Sequence, residues 1–226
     1  MAQHFVGYFG KLPASGDFVV RGLPKELSDH LYVWFSNGML ALERYDPAEW
    51  QHAYLVTPVW HFIFNRGVWG SQALQGCIAP SIDKVGRYSP LAIVRSFEST
   101  YIREVLPPVD SWLYQVDASL RRSISEQVPA EEILSSVDIL FSQRQIQTNA
   151  QSAATILNEL GIVDEVMPDT RKRWFSWPDL PQSFLDRSHR CFWWAEPSPK
   201  QPPRQVIHSG KPDEDLFRLL FGGGLF

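Results

Sequence analysis

The run Leu91–Phe97 reads Leu-Ala-Ile-Val-Arg-Ser-Phe and follows directly on a proline. A strand that is almost continuous in apolar residues has little to offer water, so it belongs well inside a sheet. Its neighbours in the chain carry the same strand signal. His4–Phe9, Ala53–Val56, Val59–Phe64, Ala73–Ala79, Trp174–Trp177 and Cys191–Ala195 are short apolar or aromatic runs. Turn residues such as Asn65-Arg66-Gly67 separate several of them.

Helical patterns alternate with these runs. From Pro24 onward Leu27, Leu31, Trp34, Phe35, Gly38, Met39 and Leu42 recur at the spacing that places them on one stripe of a helix. Asp46-Pro47-Ala48-Glu49 has the chemistry of a helix start. Further helices are expected from Asp110 to about Gln127, over Pro129–Phe141, over Ala150–Leu160 before Gly161, and from Asp213 through Leu216, Phe217, Leu219 and Leu220. Glu196–Arg204 is proline-rich and reads as an extended connection. Strands and helices are intermixed, and the turns between strands are short. The pattern predicts one α/β domain of the α+β type over residues 1–226, with a largely antiparallel or mixed sheet packed by helices.

Composition excludes several classes of function. Lys and Arg number 21 against 25 Asp and Glu, a net charge of −4, so there is no overall basic field for nucleic acid. No apolar run approaches the roughly 20 residues needed to span a bilayer. The N-terminus shows no basic patch followed by an apolar segment, so no signal peptide is read. The two cysteines, Cys77 and Cys191, lie far apart in strand-like contexts and read as core thiols. These features predict a cytoplasmic protein without direct membrane insertion.

The sequence is poor in catalytic signatures. It has no G-x-S-x-G elbow, no P-loop, no dinucleotide fingerprint and no paired C-x-x-C. The six histidines are scattered without zinc-site spacing, and His61, inside a strand-like run, reads as a core or edge residue. No metal and no cofactor is expected.

Two polar bends stand apart. Gly10-Lys11-Leu12-Pro13-Ala14-Ser15-Gly16-Asp17 is followed by Arg21; Pro80-Ser81-Ile82-Asp83-Lys84-Val85-Gly86-Arg87 forms the second. Each follows a strand and sets opposite charges beside Gly and Pro. Three readings are open. Backbone N–H groups with Lys11, Arg21 or Arg87 could hold an anion. Asp17 or Asp83 could act as a base, or Ser81 as a nucleophile, in a hydrolase or phosphate-ester-cleaving enzyme. Or Asp17 and Asp83 pair with Arg21 and Arg87 and pin the bends together, which is the expected arrangement. Trp193 and Trp194, adjacent in a strand, must point to opposite faces. Both belong in the core, unless one is left outside as a partner-binding anchor. Leu225-Phe226, after a triple glycine, is either a docked tail or a free apolar one.

Gly7-Tyr8-Phe9-Gly10-Lys11-Leu12-Pro13, Gly16-Asp17-Phe18-Val19 and Arg21-Gly22-Leu23-Pro24 resemble the opening of the TagF family, which is associated with type VI secretion. The second bend, through Tyr88 and then Pro90-Leu91, resembles that family's other signature. The Trp193-Trp194 strand and the Asp213–Phe221 helix are similar to its C-terminal part. The resemblance spans essentially the whole chain and is least distinctive over about 105–165. It implies a non-enzymatic bacterial regulator, a post-translational repressor of secretion. Such a repressor works against a threonine-phosphorylation switch and is linked to the apparatus's forkhead-associated scaffold protein. Some relatives carry a fused PP2C-type phosphatase domain, and no such addition is read here. The oligomeric state is left open by the sequence.

Overall fold

The computed structural model describes residues 4–106, 112–133, 177, 179–186, 188–196 and 202–223. Seven strands form one antiparallel sheet: β1 (Val6–Gly10), β2 (Val19–Arg21), β3 (Trp60–Phe64), β4 (Ala73–Ala79), β5 (Leu91–Phe97), β6 (Arg190–Ala195) and β7 (Arg204–Ser209). Their order is β2-β1-β5-β4-β3-β6-β7. The three middle strands, β5, β4 and β3, are buried along their whole length, as the apolar run at Leu91–Phe97 requires. β4 and β5 pair in the register Ala73 with Phe97 through Ala79 with Leu91.

A sheet buried on both faces needs a helical layer on each. On one side lie α1 (Lys25–Tyr45), α2 (Trp50–Leu55) and α6 (Glu214–Phe221); on the other lie α3 (Ile102–Val105), α4 (Trp112–Ser125) and α5 (Leu180–Asp186). Strand alternation divides the core accordingly. Trp60, Phe62 and Phe64 of β3 join Trp34 and Phe35 of α1 and Phe217 of α6. Ile63, the neighbour of Phe62 and Phe64, joins Leu113 and Val116 of α4 and Phe184 of α5. The first layer is predominantly aromatic. Trp34 meets Trp69, Trp193 and Phe217 at ring-centroid separations of 5.5–5.7 Å. α1 and α6 approach each other closely at Gly38, where an added Cβ would sit 2.1 Å from the Phe217 ring. Asp213 caps α6 as expected, its Oδ1 accepting from the Leu216 amide at 2.8 Å.

Several elements differ from the sequence reading. Ala53–Leu55, expected as strand, belongs to α2, which begins at Trp50 rather than beside Pro47. A four-residue apolar run does not by itself distinguish helix from strand. β2, α3 and α5 were not anticipated. Arg204, assigned to an extended connection, opens β7 instead. The expected Ala150–Leu160 helix, the Asp110 cap, the C-terminal Leu225-Phe226 and all but Trp177 of the Trp174–Trp177 strand lie outside the described residues. Of the expected Pro129–Phe141 helix, the helical stretch 130–133 is described. Among the described residues no helix is long and apolar enough to cross a membrane.

Candidate functional site

The two polar bends meet at one end of β1 and β5. Gly10 ends β1 at φ +145°, and a Cβ there would lie 2.0 Å from the Pro90 carbonyl oxygen. Glycine therefore permits the backbone contact that joins the bends. The Lys11 amide donates to Pro90 O at 3.3 Å, and the Lys84 amide donates to Ser15 O at 2.8 Å. Within the second bend the Asp83 amide donates to Arg87 O at 3.0 Å, and Ile82 and Tyr88 form a bridge. Gly86 takes φ +87°, the left-handed conformation this tight return needs.

Asp83 is the hub. Its side chain is fully buried. Oδ2 accepts from Lys11 Nζ at 3.0 Å and from Arg87 Nε at 2.7 Å. Oδ1 accepts from the amides of Val85 at 3.0 Å and Arg87 at 2.9 Å. Burial pushes the carboxyl pKa up. The hydrogen bonds from the Arg87 backbone and from the Lys11 and Arg87 side chains outweigh it, and hold the group well below the usual carboxylate range. Lys11 is itself buried and lies 5.2 Å over the Phe18 ring. Arg87 is 56% exposed along its side chain and reaches across to donate from Nη2 to Gly16 O at 2.5 Å. One carboxylate thus ties both bends together.

The pairing differs in detail from the expected one. Asp83 does pair with Arg87, but its second cation is Lys11, 72 positions away along the chain. Asp17 is exposed and accepts from the Phe18 amide at 2.8 Å; among the described residues it makes no ion pair with Arg21, which is also exposed. Pro13 is half-buried inside the first bend. Ser81 is buried, and its backbone is held by Tyr54: the Ser81 amide donates to the Tyr54 hydroxyl at 2.9 Å, and that hydroxyl donates to Ser81 O at 3.2 Å. Burial raises the Tyr54 phenol far above its ordinary range, so it stays a neutral donor. The Ser81 hydroxyl points to the Ile82 carbonyl at 3.5 Å, not to a base. Asp83, Ser81 and Asp17 do not form a nucleophile–base pair. A cavity of about 420 Å³ lies elsewhere, between the start of β1, the end of β5 and α3, with Arg95, Tyr101 and Glu104 in its wall.

The two tryptophans are both interior. Trp193 is 0% exposed among Trp34, Phe62 and Phe64, and Trp194 is 3% exposed beside His61 on the other face. Neither offers the surface anchor that one of them was expected to provide if left uncovered. The two cysteines are free and buried on opposite faces of the sheet, with burial raising both thiol pKa values. As thiols they are inert core residues.

A second polar cluster escaped the sequence reading. His61, fully buried, shares a 2.8 Å hydrogen bond between Nε2 and Asp117 Oδ2, and its Nδ1 lies 3.9 Å from Glu196 Oε1. Arg121 also bonds Asp117. Burial raises the Asp117 pKa, but the hydrogen bonds from His61 and Arg121 hold it below the ordinary value. Glu196 is pushed up, chiefly by burial. The available signal was Asp117 itself, a carboxylate on the same α4 stripe as Leu113, Val116 and Leu120. Such a residue on an apolar stripe must find a buried partner. Among the described residues no group of three or more His, Cys, Asp or Glu side chains is placed to hold a metal ion.

Comparison with known proteins follows the same outline. No curated protein matches the chain. The crystal structure of PA0076 from Pseudomonas aeruginosa PAO1 is similar over 98% of this chain and 96% of that one, with a TM-score of 0.71 and 25% sequence identity. Residues 7–140 match the TagF N-terminal domain, described as type VI secretion system-associated, and that stretch holds β1 from Gly7 onward, β2 to β5 and both bends. With more than half of its length matched, the chain belongs to the TagF family of type VI secretion-associated proteins.

Proposed function

We propose that the protein is a non-enzymatic, cytoplasmic repressor of type VI secretion that acts after translation by binding another protein. Its partner in this reading is the forkhead-associated scaffold of the apparatus. The observation that carries it is the Asp83 hub, which closes the two bends that lie within the stretch matching the family. The carboxylate, the buried ammonium and the buried serine are engaged with the protein itself, so the bends serve as a rigid support. Their outer side presents Lys84, Val85 and Arg87, with Val85 67% exposed, and these frame a surface for a polypeptide. Pro13, Gly16, Gly86, Asp17 and Arg21 shape or border that surface.

Repression by this route needs only a higher affinity for the scaffold's inactive state than for its active one. Holding the scaffold out of the assembled machine then keeps secretion low until the phosphorylation signal shifts the balance. The binding test is capture of the purified scaffold by the full chain at physiological salt. Capture is expected with the wild-type protein and is expected to weaken in Val85→Glu, which leaves the Asp83 hub intact. Absence of capture by wild type would contradict the proposed partner.

A further inference from the structure

The polar cluster around His61 takes no part in the bends. His61 stands on β3 between Cys77 of β4 and Trp194 of β6, its opposite numbers in the sheet register. Its side chain is completely enclosed. α4 closes over it with Tyr114, Asp117 and Arg121, and Glu196 follows the last residue of β6.

The proton positions follow from Asp117. Burial works against its ionisation, but hydrogen bonds from His61 and Arg121 keep its pKa below the ordinary value. An ionised carboxylate only accepts, so Nε2, 2.8 Å from Asp117 Oδ2, carries a proton and donates it. Nδ1 on the other side of the ring is buried and has no hydrogen-bond partner. Glu196 Oε1 is in the same condition, and the two atoms lie 3.9 Å apart. A bare Nδ1 facing an ionised Glu196 sets lone pair against lone pair away from water, which is costly to both groups. One proton between them removes the conflict in either position. The imidazolium then donates to a carboxylate, or a carboxylic acid donates to the imidazole.

The charges around the pair point the same way. Arg121 balances Asp117, so His61 and Glu196 with one added proton leave the cluster neutral, and without it they bury a net negative charge. The other titratable groups that face the ring supply no counter-charge. Burial raises the Cys77 thiol well above its ordinary value and pushes the Tyr114 phenol up to about 12. Burial also pushes the Glu196 carboxyl up, the direction that favours keeping a proton.

We propose that His61 Nδ1 and Glu196 Oε1 hold one proton between them, and that this proton latches the end of β6 to β3 and α4. With it present the two atoms draw into hydrogen-bond range. Its loss opens the latch, and Glu196, already 21% exposed along its side chain, turns its carboxylate to water.

Glutamate and histidine in an unfolded chain give up their protons near about pH 4.3 and 6.5. Above the second value the folded chain still holds the latch proton and the unfolded chain does not, so stability falls as pH rises. Urea denaturation of the full chain between about pH 6.5 and 9 is expected to show this decline. Glu196→Gln donates an amide N–H to the bare Nδ1 without an added proton. It is expected to fold and to show a shallower decline, the two slopes differing by one proton. Equal slopes would overturn the proposal. A second measurement needs no variant. NMR of wild type with nitrogen-15 histidine and carbon-13 glutamate, at neutral pH, is expected to show Nε2 protonated and a proton on either Nδ1 or the Glu196 carboxyl. A bare Nδ1 together with an ionised Glu196, or an unprotonated Nε2, would overturn it as well.

Discussion

Asp83→Ala is expected to lose about 3–5 kcal/mol of folding stability, the cost of removing one partner from a buried ion pair. Most of that loss comes from what is left behind. Lys11 Nζ stays buried without its carboxylate, and the Val85 and Arg87 amides lose their acceptor. Arg87→Ala removes a side chain that is more than half exposed and is expected to cost far less. The discriminating control is Lys11→Met with Asp83→Leu. Replacing both charges by apolar groups of similar size removes the stranded charge, so the double variant should recover much of what the single one loses. Chemical denaturation of the three proteins checks this ordering. A single Asp83→Ala variant as stable as wild type would show that the hub holds nothing together. The pH dependence has a definite sign. A carboxyl whose folded pKa is depressed contributes stability above its unfolded value of about 3.9. That contribution is lost as pH falls from there toward the depressed folded value. Wild type is therefore expected to lose stability on acidification below about pH 4, and Asp83→Ala to show a shallower acid limb.

Trp193→Ala is the second large effect, expected at about 3–5 kcal/mol. The indole is 0% exposed and touches three aromatic rings from two elements: Trp34 on α1, and Phe62 and Phe64 on β3. Its removal opens a cavity between the sheet and α1 that rigid rings cannot fill by small rotations. The loss should appear as a lower denaturation midpoint. Capture of the partner should be unchanged at temperatures where the variant remains folded. A Trp193→Ala protein of wild-type stability that fails to bind would restore the surface-anchor reading of this tryptophan.

What the sequence disclosed follows from where the information is local. β4 and β5 are legible to the residue because both are fully buried, and their apolar runs end at turn-forming segments. α1 is legible because its apolar stripe is long enough for the helical period to be unambiguous. The bends are legible as a pair, since Gly, Pro and charge concentrate there. The identity of the clamp is not, because Lys11 and Asp83 are brought together only by the β1–β5 pairing. The same holds for His61 and Asp117, which meet across the sheet-to-helix interface. β2 and β7 were missed for a different reason. As edge strands they carry polar and half-exposed residues, and their assignment depends on a neighbour that supplies the hydrogen bonds. α2 was misread because Ala53–Val56 is too short for periodicity to act.

The direct measurement of the proposed repression is effector release from a strain that lacks this chain, assayed without the threonine-phosphorylation signal that the proposal invokes. Release should rise above the wild-type level and return to it when the intact protein is supplied. Secretion that stays at the wild-type level in the deletion strain would contradict repression by this protein.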